Sequence, residues 1–328
     1  SWMMDKLVEN KGGLHARLTN NIYVRPFTLK ETEEYLLDKG IIWDHYKILQ
    51  TYMVMGGVPF YLSLLNPEED LIANIDRLFF RTNGELATEF DELYDAIFTG
   101  AGKYLQIVDL LYKHKEGLIF DQIREITKIE GKRLTKLLRN LERCDFIVSF
   151  SQFGNKSKGK IFRLLDFYTL FYYKFLANND SKDELWWTHN FSSPSVLSWQ
   201  GRSFELVCLQ HIPQIRFKLG ISGISTSASS WRYLPNKNNS EESGAQIDLV
   251  IDRNDHTINV CEMKFSVGMY SIKKEYEAKV RERMSLFQER TKTVKSIVST
   301  FITTYGVVNA HSHSIVHKEI IAEDLFCV

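Results

Sequence analysis

Two neighbouring stretches decide the fold of this chain: GAQIDLVID at residues 244–252 and INVCEMKF at residues 258–265. Both are rich in valine and isoleucine, as β-strands are, and RNDH at residues 253–256 supplies turn residues between them. Because side chains alternate along a strand, Glu262 and Lys264 are expected on one face of this hairpin. The opposite face would take Cys261, Met263 and Phe265. The stretch therefore predicts a β-hairpin with one charged face and one apolar face.

The acidic residues of this hairpin form a candidate site for a divalent cation. Ionised side chains are rarely buried unless they are paired or bind a metal. Asp248 on the first strand and Glu262 on the second would supply the oxygen ligands that Mg²⁺ or Mn²⁺ prefers. Lys264 would orient a water or offset the charge of a phosphate. The alternative is a hairpin whose acidic and basic residues are simply a solvated face.

The composition is that of a soluble protein of two or three domains. The chain has 328 residues, of which 44% are hydrophobic and 25% are charged, and its formal net charge is zero. A surface that binds nucleic acid must therefore be local. The four cysteines are scattered without a CxxC pair, which favours reduced thiols in a cytoplasmic protein over disulfides or zinc. No signal peptide is evident and no apolar stretch is long enough to cross a bilayer, so we expect no membrane contact.

Residues 102–165 have the pattern of a winged helix-turn-helix. Three helices are predicted, followed by two strands at 146–150 and 161–164 that a basic loop joins. In the third helix four leucines have a spacing that turns them toward a core: Leu134, Leu137, Leu138 and Leu141. The basic residues left for contact with DNA are Lys132, Arg133, Lys136 and Arg139 on this helix, and Lys156, Lys158 and Lys160 in the loop. Such a surface is typical of binding to the DNA backbone, although winged helices also dock on proteins and surface lysines are commonly just solvated.

Asp248 followed by EMK at residues 262–264 resembles the motif of the restriction-endonuclease-like, or PD-(D/E)xK, nuclease fold. In that fold a helix ahead of the hairpin usually adds an acidic residue, and GRSFELVC at residues 201–208 places Glu205 there. The resemblance implies a metal-dependent DNA phosphodiesterase. Its catalytic residues would be Asp248 and Glu262 as metal ligands, Gln246 and Glu205 as supporting groups, and Lys264 to position or activate the attacking water.

A second resemblance covers most of the chain. PFTLKE at residues 26–31 and MVMGGVPFYL at residues 53–62, with SWM and GLHAR near the amino end, resemble a group of archaeal and bacterial AAA+ (STAND-like) P-loop ATPases. Those ATPases also carry a winged helix and a nuclease-like C-terminal domain. Their Walker A and Walker B motifs would lie before Ser1, so the resemblance implies that ATP binds only with that upstream core. GNKSKGKI at residues 154–161 only imitates a P-loop, because Ile161 has no hydroxyl for Mg²⁺ and a strand follows.

Shorter patterns predict local elements. A strand is predicted at residues 21–24, and Thr28 with Glu31 three positions later predicts a capping box at the start of a helix. The aromatic stretch at residues 165–176 has helical spacing and is expected to be interdomain core, where it packs the winged helix onto the next domain. Residues 222–243 are rich in serine and asparagine and are expected to form a polar loop of the kind that closes over a site.

Together these patterns predict a multidomain α and α/β fold. The expected order is a remnant of an AAA+ core at 1–25, a helical lid at 26–100, a winged helix-turn-helix at 101–176, a linker at 177–184 and a restriction-endonuclease-like α/β domain with the order α-β-β-α-β at 185–328. The first functional hypothesis is a DNA-associated part of an ATPase whose last domain cleaves DNA. The alternative is a non-catalytic module that binds DNA or a protein partner and regulates the ATPase core. An oligomer is compatible with either hypothesis.

Overall fold

The computed structural model describes residues 22–154, 159–179, 181–233, 244–310 and 314–327. Within these ranges the chain is a mixed α/β protein that divides into two compact units. The first unit contains residues 22–27, 54–149 and 161–191, and the second contains 28–53, 150–160 and 192–327. The units cut across the predicted boundaries, since part of the predicted lid and part of the predicted winged helix belong to the second unit. In the described ranges, no helix combines the length and the apolar composition needed to cross a membrane.

The first half of the described chain is built from short helices and one small sheet. Its elements are, in order, α1 (Leu29–Asp38), α2 (His45–Met55), α3 (Pro59–Ser63), α4 (Leu71–Ile75), a π-helical turn (Asp76–Phe80), α5 (Glu89–Ile97), α6 (Gly102–Lys113), β1 (Leu118–Ile119), α7 (Phe120–Thr127), α8 (Gly131–Arg143), β2 (Ile147–Phe150) and β3 (Ile161–Leu164).

The second half contains the longer helices and the larger sheet. Its elements are α9 (Phe167–Phe171), a second π-helical turn (Tyr172–Leu176), α10 (Trp186–Asn190), α11 (Pro194–Gln210), α12 (Ile212–Lys218), β4 (Thr226–Tyr233), β5 (Ala245–Arg253), β6 (Thr257–Lys264), α13 (Lys274–Thr291), β7 (Ser296–Thr303), β8 (Lys318–Ile321) and a 3₁₀ turn (Ala322–Phe326).

Helix α1 begins where the sequence predicts it. The Thr28 hydroxyl accepts a hydrogen bond from the N–H of Glu31 at 3.2 Å, and the Glu31 carboxylate accepts one from the N–H of Thr28 at 2.7 Å. This pair completes the predicted capping box. The prediction of a strand just before α1 is wrong for residues 22–24, which are not in a strand. Residue 21 lies outside the described ranges. Ile22 and Val24 are 85% and 86% exposed, so their side chains have no buried face to occupy.

The helices and strands predicted between residues 102 and 165 are present. Helices α6, α7 and α8 are followed by β2 and β3, and the short β1 completes a three-stranded sheet with the order β1-β3-β2. The leucines of α8 that were predicted to face a core are all buried: Leu134, Leu137, Leu138 and Leu141. Their burial fixes which side of α8 faces the solvent.

The aromatic stretch at residues 165–176 is buried, as predicted, but its ring contacts with Phe79 and Trp187 lie within the first unit rather than between domains. Phe171 lies 4.9 Å from Phe79 and Phe175 lies 5.4 Å from Trp187, measured between ring centroids. Trp187 was predicted to belong to the C-terminal domain, but it is part of the first unit. Aromatic area buried in this way stabilises the unit in which the rings meet.

Asp76 holds the start of α10. Its side chain is fully buried and accepts hydrogen bonds from the N–H groups of Trp187 and Thr188 at 2.7 and 3.0 Å. The first N–H groups of a helix have no partner inside the helix, and a carboxylate satisfies them well. No local pattern predicted this contact, because 111 residues separate Asp76 from Trp187.

The larger sheet has the strand order β4-β5-β6-β7-β8. Strands β4, β5 and β6 are antiparallel neighbours, whereas β6, β7 and β8 are parallel neighbours. Parallel neighbours need a crossover, and α13 supplies it between β6 and β7. The predicted order α-β-β-α-β is contained in α11, β5, β6, α13 and β7. Helix α11 begins at Pro194, earlier than the predicted start near Trp199, because Ser193 caps it.

The prediction of a polar loop at residues 222–243 is wrong for residues 226–233. Residues 226–233 form β4, which pairs along β5, and residues 234–243 lie outside the described ranges. Trp231 is only 7% exposed and packs on Phe287 of α13, with 5.2 Å between ring centroids. The strand was not predicted because β4 is rich in serine. A strand at the edge of a sheet needs few apolar side chains, so its sequence can resemble that of a loop.

Candidate functional site

Glu262 and Lys264 share one face of β6, as predicted, and the buried Ile258 and Val260 lie on that same face. Glu262 and Lys264 point toward α13: Glu262 accepts a hydrogen bond from the Tyr276 hydroxyl at 2.6 Å, and the Lys264 ammonium lies 5.0 Å from the centroid of the Tyr276 ring. Phe265 points the other way and lies 5.9 Å from Phe204 of α11, measured between ring centroids. The two faces of β6 are therefore covered by different helices.

The carboxylate of Glu262 is buried and has two donors. Glu262 is 4% exposed, its Oε1 accepts from the Arg283 guanidinium and its Oε2 accepts from Tyr276. Burial, followed by the charge of Glu262, raises the pKa of Tyr276, so the phenol stays protonated and donates. An ionised side chain at this depth needs such partners, because burying it alone would be very unfavourable.

Strand β5 contains a bulge at Asp248. Ser229 of β4 lies opposite Val250, whereas Trp231, two residues further on, lies opposite Ile247. One residue of β4 therefore faces two residues of β5, one of which is Asp248. A bulge of this kind interrupts the alternation of side chains along the strand.

The bulge turns Asp248 away from Glu262. Ile247 packs in a cluster with Trp231 and with Phe287 of α13, so Ile247 faces α13. Gln246 and Ile247 lie ahead of the bulge and pair regularly with Arg232 and Trp231, so their side chains point to opposite faces. The Gln246 amide donates to the Asp248 carboxylate at 2.9 Å, which places Asp248 on the face away from α13, whereas Glu262 points to α13. The structure therefore does not bring the two predicted metal ligands together on one face.

The donor set does not fit a divalent cation. Both oxygens of Glu262 are engaged, and Asp248 accepts a hydrogen bond from the Gln246 amide at 2.9 Å. Glu205 is half-buried on α11. Among the residues that the structure describes, no group of three or more His, Cys, Asp or Glu could hold a metal ion. We derive no metal-dependent step from these residues, and binding of Mg²⁺ or Mn²⁺ stays a prediction.

The predicted DNA-binding residues are placed as follows. The helical members are all exposed on α8: Lys132, Arg133, Lys136 and Arg139. Lys160 is also exposed but belongs to the second unit, and Lys156 and Lys158 lie outside the described residues. Lys132, Lys136 and Arg139 are spaced at i, i+4 and i+7, so they form one stripe along the helix.

No family model, no characterised protein and no solved structure matches this chain. What the protein does has to be inferred from the charges and contacts of its own residues.

Two residues of the site were missed from the sequence. Tyr276 and Arg283 recur with Val280 and Phe287 at helical spacing along α13, and the two apolar members of this stripe are buried. A tyrosine and an arginine in the buried stripe of a helix indicate a polar partner on the facing sheet. That pattern was available in the sequence, but it does not identify Glu262 as the partner.

Proposed function

We propose that this chain binds the phosphate backbone of DNA through α8. One observation carries the proposal: the four buried leucines leave a stripe of basic residues as the solvent-facing side of the helix. Clustered positive charge of this kind binds phosphates by releasing the cations condensed on DNA. The chain has no net charge, so the attraction depends on this stripe rather than on the whole molecule.

The order of elements around α8 supports the proposal. The succession α6, β1, α7, α8, β2 and β3, with strand order β1-β3-β2, is the order expected of a winged helix-turn-helix. In helix-turn-helix modules the last of these helices enters the major groove while its flanks contact phosphates. Lysine and arginine on exposed turns favour phosphate contact, which positions a protein on DNA without reading its sequence.

Removing two charges from the stripe tests the proposal. We expect the double substitution Lys132→Ala with Lys136→Ala to weaken binding to duplex DNA, and to make the slope of log K against log salt concentration shallower by about two, one counterion for each lost phosphate contact. Electrophoretic mobility shifts or fluorescence anisotropy over a salt series would measure this slope.

A matched control removes two charges elsewhere. Lys274 and Lys279 are exposed on α13, so Lys274→Ala with Lys279→Ala changes the net charge equally while leaving α8 intact. We expect this control to keep the slope of the parent protein. An equal decrease of DNA affinity and of the salt slope in both double variants would show that binding follows net charge alone. An unchanged slope in the α8 variant would refute the proposal.

For the second unit the geometry favours a non-catalytic role over DNA cleavage. The observation is the engagement of Glu262 by Arg283 and Tyr276, with Asp248 on the other face of the sheet.

The motifs at residues 26–31 and 53–62 support the further proposal that the chain serves an ATPase core as a DNA-binding or partner-binding module. Incubation of supercoiled plasmid with the chain and Mn²⁺ or Mg²⁺ tests whether the second unit is non-catalytic. We expect no nicking of the plasmid, and nicking that Asp248→Ala abolishes would contradict the non-catalytic role.

A further inference from the structure

We infer that Arg283 neutralises Glu262 in the place that a divalent cation would take, and that this ion pair fastens α13 to the sheet. The Glu-x-Lys element of β6 is then a structural element of the second unit. The inference does not rest on DNA binding by α8, which belongs to the first unit.

Both oxygens of the Glu262 carboxylate already have donors. The Arg283 guanidinium donates to Oε1 and the Tyr276 hydroxyl donates to Oε2. A magnesium ion would have to approach one of these oxygens to about 2.1 Å and would displace the donor there. Arginine does not lose its proton in proteins, so Arg283 is a permanent positive charge beside the carboxylate.

The surroundings of Glu262 lack what a cation would require. Magnesium usually keeps several waters and is held by one or two carboxylates. The Glu262 side chain is only 5% exposed, which leaves little surface for such waters. The predicted second carboxylate, Asp248, lies on the opposite face of the sheet because of the bulge in β5.

The packing of α13 holds Arg283 in this position. Val280 and Phe287 lie on the same side of the helix and are 1% and 0% exposed. Val280 packs in a cluster with Phe301 of β7, and Phe287 packs on Trp231 of β4, so the helix is anchored on the sheet on either side of the ion pair. Breaking a pair of this kind would leave a buried charge without a partner, which is far less favourable than losing a surface ion pair.

Titration with Mn²⁺ tests the first half of the inference. The full chain, Glu262→Gln and Asp248→Asn would each be titrated while the paramagnetic resonance signal of free Mn²⁺ is recorded. We expect the three proteins to bind the same amount of Mn²⁺, with no site that depends on Glu262. A stoichiometric site in the parent chain that Glu262→Gln removes would overturn the inference. The parent chain alone also decides the question, because absence of bound Mn²⁺ supports it without any variant.

A double-mutant cycle tests the second half. We expect Glu262→Gln and Arg283→Met each to lower Tm by about 6 °C or more, and the double variant to lower it by clearly less than the sum. Additive shifts would mean that the two residues act independently, and the anchor would be refuted. If either single variant fails to fold while the double variant folds, the same coupling is demonstrated. The DNA salt slope of these variants should equal that of the parent, which separates failure here from failure of the proposed function.

Discussion

Replacing Gly57 by alanine is expected to lower the free energy of unfolding by at least about 3 kcal/mol, because the added methyl group would collide with backbone. A Cβ atom on Gly57 would lie 1.9 Å from the carbonyl oxygen of Phe27 and 2.6 Å from its nitrogen. Neither atom belongs to a flexible side chain, so one of the two chain segments has to move. That movement would also break the hydrogen bond in which the Phe27 N–H donates to the Gly57 carbonyl at 2.7 Å.

Two other glycines make this prediction specific. Gly56 has a φ of +62° but ordinary space around it, with the nearest side-chain atom at 3.4 Å, so alanine there should cost only about 1–2 kcal/mol for the left-handed backbone. Gly102 begins α6 with nothing within 4 Å of an added Cβ, so alanine there should be neutral or slightly stabilising. Urea unfolding followed by circular dichroism would rank the three variants. A Gly57→Ala protein as stable as Gly102→Ala would show that the close approach of Phe27 is absent.

Elements fixed by local chemistry were predictable from the sequence. The hairpin of β5 and β6 follows from two apolar runs around a turn, and the capping box of α1 needs only Thr28 and Glu31. The buried leucines of α8 follow from helical spacing alone. In each case the residues that decide the structure lie within a few positions of one another.

The arrangement of the candidate site was not predictable in this way. Whether Asp248 and Glu262 point to the same face of the sheet depends on a bulge. The bulge arises where β5 pairs with β4, a serine-rich strand that was not predicted from the sequence. The charge balance of Glu262 depends on Arg283, which lies 21 residues away on another element. A motif specifies residue types and spacing, but the side of a sheet to which they point is set by the neighbouring strand.

His211 shows how such a distant contact can also set the pH dependence of stability. The side chain is fully buried between α11 and α12, where Nδ1 donates to the Val207 carbonyl at 2.8 Å and Nε2 accepts from the N–H of Leu29 at 3.0 Å. Leu29 is the first residue of α1, so its N–H has no partner inside the helix. Both ring nitrogens are satisfied only when the imidazole is neutral, with its proton on Nδ1.

Burial lowers the pKa of His211 from 6.5 to about 4, against the smaller effects of Val207 and Glu31 that raise it. As the pH falls below 6.5 the unfolded chain binds a proton at this residue, whereas the folded chain stays neutral until about pH 4. The unfolded state therefore holds more protons in this window, and stability decreases as the pH is lowered through it. The full contribution, present above pH 6.5 and lost near pH 4, is on the order of 3 kcal/mol.

Substituting His211 by glutamine should remove most of this pH dependence. Glutamine keeps an acceptor and a donor but cannot become charged, so the variant is expected to be somewhat less stable at pH 7 and to lose less stability between pH 6.5 and 4. Urea unfolding at half-unit steps of pH would give both curves. The control is His189→Gln, since His189 is exposed and pairs with Asp183, and its removal should leave the steep decrease in place. A His211→Gln curve as steep as that of the parent would assign the acid sensitivity to other groups and would mean that His211 is accessible to protons in the folded state.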